Sequence, residues 1–340
     1  METKEVNFTM IEQTWSIEKV FEETERITLY AEPLLGRIDS PWLALEKGII
    51  KKLKNAIGPS AYKAHEGAGL TPRGIFIAET LGQSENYVTL KNVSGWSGAK
   101  MKIEKEVVMK VEKEAVYQVF FGREIDRWKI SQEKKYFAIF LYNFSSGEIF
   151  NENFVKVDFP NAYAYYNHFK DILVKAANYK QYGKGKPWYF IHRVGKQIFS
   201  PFKVVWGEVS TQINAAVVTG KSASDNGFLI PDYTCVYIPL HDENEAHYVC
   251  AVLNSTISRM VTSYIHLHPD PHVLEYIQIP KYQQENVIHK RFVRLSKSAH
   301  LVAAEKREDE LPEIENEIDE LVAEFYGLSN KELQSLKEQI

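Results

Sequence analysis

Between Ser60 and Tyr142 the chain reads GIFIAET (Gly74–Thr80), NYVTLKNV (Asn86–Val93), KMKIEKEVVMKVE (Lys100–Glu112) and KYFAIFLYN (Lys135–Asn143). These short runs are rich in β-branched and aromatic residues and are separated by Gly, Ser and Asn, which is the grammar of strands and turns. Toward the C-terminus the period changes. Pro160 to Tyr179 places Tyr163, Tyr166, Phe169, Leu173 and Ala177 on one helical face. The loop YKQYGKGKP then leads to further strand-like runs, WYFIHRV (Trp188–Val194), FKVVWGEV, AAVVT and TCVYIPL. Ala246 to Ile265 reads as one amphipathic helix. In the last segment Ile314, Ile318, Leu321, Val322 and Phe325 form an apolar stripe, Gly327 stops the helix, and Ser329 with Glu332 predicts a capping box. Toward the N-terminus the first 60 residues read as helical, with Thr14-Trp15-Ser16 opening one helix and Pro41 a second that Gly58-Pro59 closes. Strand-rich and helical stretches alternate without a regular rhythm. The expected fold class is therefore α+β.

Composition sets outer limits. The 340 residues, 44% hydrophobic and 25% charged, describe an ordinary globular chain of two domains or one with a sub-lobe, not a disordered or collagenous one. Two cysteines, Cys235 and Cys250, are too few for a disulfide framework and fit a reduced, cytoplasmic protein. The N-terminus METKEVNFTMIEQTW has neither a basic start nor an apolar run, so no secretory leader is expected, and no apolar stretch is long enough for a membrane span. The formal net charge of −4 argues against nucleic acid only as an average. Glu305 to Ile340 holds twelve acidic residues against four basic ones, a net −8, which leaves +4 on the rest of the chain. Lys170 to Trp206 holds eight basic residues, with Asp171 the one acid. A basic segment rich in aromatics is a candidate DNA-facing surface.

No residue pattern points to catalysis. The Gly-rich nucleotide and phosphate loops are absent, as is a Gly-x-Ser-x-Gly elbow. His266, His268 and His272 surround a Pro-Asp-Pro turn, with His241 and His247 upstream, but no Cys or Glu stands at a familiar ligand spacing, and histidines of a rigid turn are the simpler reading. Asp126, Glu133 and Lys135 could suggest a nuclease triplet. The lysines fit better as the solvated lead-in to KYFAIFLYN, because two-metal chemistry needs more converging carboxylates.

Several stretches, in this order, resemble the C-terminal part of the N6-adenine DNA methyltransferases of type IIG restriction–modification systems and their phage-exclusion relatives. HEGAGLTPRGIFIAE (His65–Glu79) is similar to the turn and Phe-bearing strand that open the family's target-recognition region. FFGREIDRW (Phe120–Trp128) resembles a Gly-Arg-Asp-Ile-x-Arg-Trp/Tyr signature, with Glu124 where Asp is usual. Trp188 to Val218 resembles strands that follow a Tyr-rich helix, and VCAVLNST, YIQIPKY and IDELVAEFYGLSNKEL resemble closing elements. The chain contains no Asn-Pro dipeptide, so it lacks the Asn-Pro-Pro-Tyr/Phe motif of the catalytic domain, and it lacks the S-adenosylmethionine loop.

The resemblance implies a strand-rich target-recognition module with interspersed helices and a C-terminal helical segment. It would have a helical connector over 1–60, a recognition domain over 61–290 with lobes at 61–155 and 156–290, and an acidic helical segment over 291–340. It would hold double-stranded DNA for an N6-adenine methyltransferase domain or subunit that carries S-adenosylmethionine, with no cofactor of its own. Whether it is a subunit, a truncated product or part of a longer polypeptide stays open. Candidate DNA contacts are Thr71 and Arg73, which flank Pro72 and could equally shape the turn; Lys184 and Lys186 in a Gly-punctuated loop that could reach phosphates; and Arg193, Lys196, Gln212 and Asn214, whose side chains have base-edge chemistry. Arg123, Arg127 and Trp128 could track phosphate but pair as readily with Glu124 and Asp126. Tyr163, Tyr165, Tyr166 and Phe169 read as core, with one of the adjacent Tyr165 and Tyr166 expected to be exposed. The rival reading is a non-DNA-binding interaction or inhibitory component of a phage-defence system, docking a partner through the acidic helix from about Glu305 to Phe325.

Overall fold

A computed structural model of the protein describes residues 6–11, 26–45, 51, 53–96, 103, 105–220, 228–265 and 268–338. These form two compact units that are discontinuous in sequence. One takes Ala64–Val209 with Asn214–Ala246; the other takes the described residues up to Lys63, Ser210–Ile213, and those from His247 onward. The fold is α+β.

The first unit is built on two sheets. Strands β6 (Tyr87–Asn92), β7 (Val108–Glu112) and β11 (Tyr136–Ile139) follow the strand grammar of the sequence; β5 (Ala78–Gln83) takes only the end of GIFIAET, whose Gly74–Phe76 lies in a helical turn, Arg73–Phe76, and β4 (His65–Glu66), β8 (Val116–Phe120), β9 (Ile125–Asp126) and β10 (Lys129–Ile130) are added. Five of these strands join β14 (Leu229–Pro231) in the order β14-β8-β11-β5-β6-β7, antiparallel except for the β14–β8 pair. All five residues of β8 are buried, so this central strand is covered on both faces. The second sheet is antiparallel, in the order β13-β12-β15-β4, with β12 at Phe202–Gly207, β13 at Ala216–Thr219 and β15 at Cys235–Leu240.

Three further expectations for this unit need correction. The helix expected over Pro160–Tyr179 is broken into pieces, Pro160–Asn167, Lys170–Leu173 and Ala177–Tyr182, preceded by Glu152–Asp158. Tyr165 and Tyr166 are both buried, because each hydroxyl has a backbone acceptor: Tyr165 donates to Ile75 O at 2.7 Å and Tyr166 to Ile139 O at 2.6 Å. Hydroxyls with partners can be buried at little cost. Finally, WYFIHRV is not a strand. Trp188, Tyr189, Phe190 and Ile191 are buried in succession rather than alternately, and Ile191 is held at both ends by Tyr142, whose hydroxyl accepts from Ile191 N at 2.9 Å and donates to Ile191 O at 2.9 Å. A side chain replaces the ladder here.

In the second unit, β1 (Val6–Ile11), β2 (Arg26–Pro33) and β3 (Trp42–Leu45) form an antiparallel sheet, which overturns the helical reading of these stretches. RITLYAEP supplies β-branched Ile27 and Thr28 with Tyr30, and β2 pairs along its length with β1; pairing overrides the modest helix propensity of its polar residues. Thr14-Trp15-Ser16 lies outside the described residues. The helix expected over Ala246–Ile265 is two, Glu243–Asn254 and Thr256–Ile265. At the break Ser255 Oγ accepts from Ser258 N at 3.3 Å, and the Asp319 carboxylate accepts from Thr256 N and Thr256 Oγ1, both at 2.7 Å. Long helices follow at Val287–Ala304 and Leu311–Tyr326. On the latter Ile318, Leu321 and Val322 are buried while Glu313, Glu317, Glu320 and Glu324 are exposed. Gly327 ends it in the left-handed region (φ 78°), and Ser329 and Glu332 cap the final helix reciprocally, as the spacing predicts. N-terminal and C-terminal elements are tied together: Asn55 Nδ2 donates to Tyr326 O at 2.9 Å and Tyr282 N to the Tyr62 hydroxyl at 2.8 Å.

Candidate nucleic-acid interface

Two of the stretches that carry the resemblance, His65–Glu79 and Phe120–Trp128, meet near one buried carboxylate. Asp232 is fully buried, and its Oδ1 accepts from Arg73 Nη2 at 2.8 Å, Thr234 Oγ1 at 2.9 Å and Thr234 N at 3.1 Å. Burial pushes this carboxyl up from its ordinary value, against the pull of Arg73 and Thr234. The Arg73 guanidinium also lies over the rings of Tyr233, Phe121 and Trp96, 4.8–5.3 Å from their centroids. Thr234 Oγ1 in turn accepts from Gly122 N at 2.9 Å. A Cβ on Gly122 would meet Thr234 O at 2.2 Å, and one on Gly67 would meet Asp232 O at 2.2 Å, so both glycines mark backbones in contact. Glu124 closes its own turn, accepting from Phe121 N and Gln132 Nε2, both at 3.0 Å, and burial raises its carboxyl. These motifs knit the unit together from inside. Arg73 thus has a structural partner, and Thr71 is exposed beside it, joined to Pro72 by a cis peptide bond.

A second constellation opens to solvent. Lys186, Arg193, His192 and Gln197 share a cleft of about 400 Å³ with His65 and Glu66 from β4. The sheet fixes both sides: Glu66 pairs with Val236 in β15, and three residues on, Gly69 bridges His192. A Cβ on Gly69 would stand 3.0 Å from the His192 Cβ, so a side chain there would crowd the bridge. Arg193 Nη2 is ion-paired with Glu66 Oε2. Arg193 adopts φ 64°, a left-handed conformation that costs a non-glycine residue about 1 kcal/mol or more and tends to mark functional positions. His192 stacks on Tyr182 with centroids 3.8 Å apart and planes at 10°, and burial lowers its pKa, which favours the neutral ring. Lys186 Nζ lies 4.1 Å over the Phe190 ring.

The other candidates are more scattered. Lys184 is exposed in the turn before Lys186, where Gly185 has φ 78°, and Lys196 is exposed at the start of a short 3-10 helix, Lys196–Phe199. Of the basic residues between Lys170 and Trp206, Lys203 faces inward. It is fully buried, donates from Nζ to Ser200 O at 2.8 Å, and burial lowers it to about 7. Gln212 and Asn214 lie in the β12–β13 loop, not on a strand, and belong to different units. Gln212 Oε1 accepts from Arg259 Nη2. Trp128 is buried and Arg123 lies over Phe121 and Trp96, in keeping with a structural reading of that segment. Among the described residues no group of three or more His, Cys, Asp and Glu could hold a metal ion; His266 lies outside them. No described helix is long and apolar enough to cross a membrane. Glu66 was missed by sequence reasoning, because nothing local links it to Arg193.

No family model matches the chain, and no curated protein does. Among solved structures there is a distant neighbour. The chain is similar to MmeI, a type IIL restriction–modification enzyme whose structure was solved in complex with DNA. The two are 12% identical, with a TM-score of 0.46 over 92% of this chain and 38% of MmeI. The chain thus spans well under half the length of that enzyme.

Proposed function

We propose that this chain is a sequence-specific double-stranded DNA recognition module of a restriction–modification system. It holds its target for an N6-adenine methyltransferase domain or subunit, which would carry the S-adenosylmethionine site. The observation that carries the reading is the cleft of the first unit, where Lys186, Arg193, His192 and Gln197 stand on a backbone pinned to the sheet, with Lys184 and Lys196 exposed in the same basic segment. Flexible lysines in a Gly-bearing turn suit phosphates, whereas a fixed guanidinium and an amide suit base edges. The MmeI complex with DNA is in keeping with this assignment but too distant to carry it.

The acidic helix Leu311–Tyr326 buries its Ile318, Leu321 and Val322 stripe within its own unit, so that stripe is not a surface offered to a partner. The test is duplex binding at two salt concentrations. Neutralising phosphates releases counterions, so affinity should fall steeply, by about tenfold or more, between roughly 50 and 200 mM salt. Binding that is absent, or indifferent to salt, would exclude the proposal.

A further inference from the structure

We infer that the first unit carries a second, acidic cleft that docks a short basic segment of a partner protein, one in which Lys or Arg side chains flank an apolar anchor. This surface is separate from the proposed DNA contacts. The cleft, of about 490 Å³, is lined by Glu85 and Tyr87 at the β5–β6 turn, Lys113 and Glu114 between β7 and β8, and Asp158 and Phe159 at the end of the helix Glu152–Asp158. Glu85, Glu114 and Asp158 are exposed, and Lys113 is the one base in the lining. Such a cleft repels phosphate, so the nucleic acid that suits Lys186 and Arg193 is disfavoured here and the complementary ligand is cationic.

The walls are fixed from within. Glu112 accepts from Asn161 N at Oε1 and from Ala162 N at Oε2, both at 2.9 Å, which pins the helix Pro160–Asn167 to β7. Ser84 N donates to Tyr87 O at 2.8 Å and Lys113 N to Asn86 O at 3.0 Å, which holds the β5–β6 turn against the end of β7. Phe159 stacks on Phe150 with centroids 5.9 Å apart, and Phe154 lies 4.6 Å from Phe150 and 6.2 Å from Phe159. A preformed site loses little freedom on binding. Charge alone would suit a polyamine; the apolar surface continuous with the cleft favours a peptide. Phe154, Val157 and Asp158 stand at i, i+3 and i+4 and so share one face of their helix, with Val157 78% and Phe154 39% exposed. Tyr87, 40% exposed, adds an aromatic ring from β6. Carboxylates beside an apolar strip match cationic side chains set around an aliphatic or aromatic one, the anchor covering Phe154 and Val157 while the cations meet Glu85, Glu114 and Asp158.

The experiment is selection of short randomised peptides on the full-length protein, followed by titration of an enriched, fluorescently labelled peptide. Wild type should enrich peptides in which Lys or Arg flank an aliphatic or aromatic residue. Glu85→Lys with Asp158→Lys should weaken the enriched peptide by about tenfold or more, because like charges then face each other. Val157→Ser should weaken it by about threefold or more and leave duplex binding unchanged. All three positions are exposed, so the substitutions remove no buried contact. Enrichment without the basic and apolar pattern, or an affinity that both variants leave unchanged, overturns the inference. A loss in the charge variant with none in Val157→Ser would show a site that reads charge alone, as a polyamine site does, and overturns it as well. Duplex binding that falls with Val157→Ser would assign the surface to DNA instead. Failure of the peptide arm leaves the proposed function standing, since duplex binding is read separately.

Discussion

Lowering the pH should weaken the second unit through two histidines packed against each other. His247, on helix Glu243–Asn254, and His300, on helix Val287–Ala304, lie with ring centroids 4.8 Å apart and planes at 89°. His300 Nδ1 donates to Ser296 O at 2.7 Å, and His247 Nδ1 is 3.0 Å from Ser296 Oγ. Burial lowers both, His247 to about 3, with His300 and Lys297 adding repulsion, and His300 to about 4 against the pull of the Ser296 carbonyl. In the unfolded chain each titrates near 6.5. Both folded values lie below the unfolded one, so above about pH 6.5 neither state binds protons and the stability is complete. As the pH falls below that, the unfolded chain takes up protons that the folded one refuses. At about pH 5 the folded rings are still neutral, so each histidine removes about 2 kcal/mol, and the pair at most about 4 kcal/mol, a large part of an ordinary domain's stability. Urea unfolding at about pH 8 and pH 5 reads this directly, with His247→Gln/His300→Gln as the control that lacks the titration. Wild type should lose several kcal/mol more than the control over that interval; parallel losses would refute the reasoning.

Three further outcomes are expected. Leu321→Ala should cost about 2–5 kcal/mol in urea unfolding, because the side chain is buried at the centre of its stripe; an unchanged midpoint would mean that the helix is not docked. Arg73→Ala should destabilise by about 3–5 kcal/mol by leaving Asp232 buried and unpaired; a variant of wild-type stability with weakened DNA binding would return Arg73 to the DNA surface. Replacing Lys184 and Lys186 with Ala should weaken binding to all duplexes alike and reduce the salt slope by about two contacts, and a change in sequence preference would contradict their assignment to phosphate.

Local signals in the sequence were legible where the physics is local. The stripe from Ile314 to Phe325, the stop at Gly327 and the Ser329–Glu332 box depend on neighbours a few residues away, and all are found in the structure. Most strand runs of the first unit are likewise present, but Gly74–Phe76 of GIFIAET is a helical turn and Trp188–Val194 is no strand. The failures share a cause, which is a distant partner deciding a local conformation. Arg26–Pro33 is a strand because β1 and β3 pair with it, and Trp188–Ile191 is irregular because Tyr142 takes its backbone groups. The candidate site divides in the same way. Its basic residues are conspicuous in the sequence, but the pairing of Arg193 with Glu66 and of Arg73 with Asp232 exists only once the chain is folded.

Competition between duplexes tests sequence-specific recognition most directly. A duplex enriched by selection from a randomised pool and a scrambled duplex of equal length and composition would be titrated against the full-length protein at one fixed salt concentration near the physiological value. A recognition module should favour the enriched duplex by roughly a thousandfold or more, since phosphate contacts are common to both and only base edges and shape differ. Equal affinities, at any strength, would contradict it.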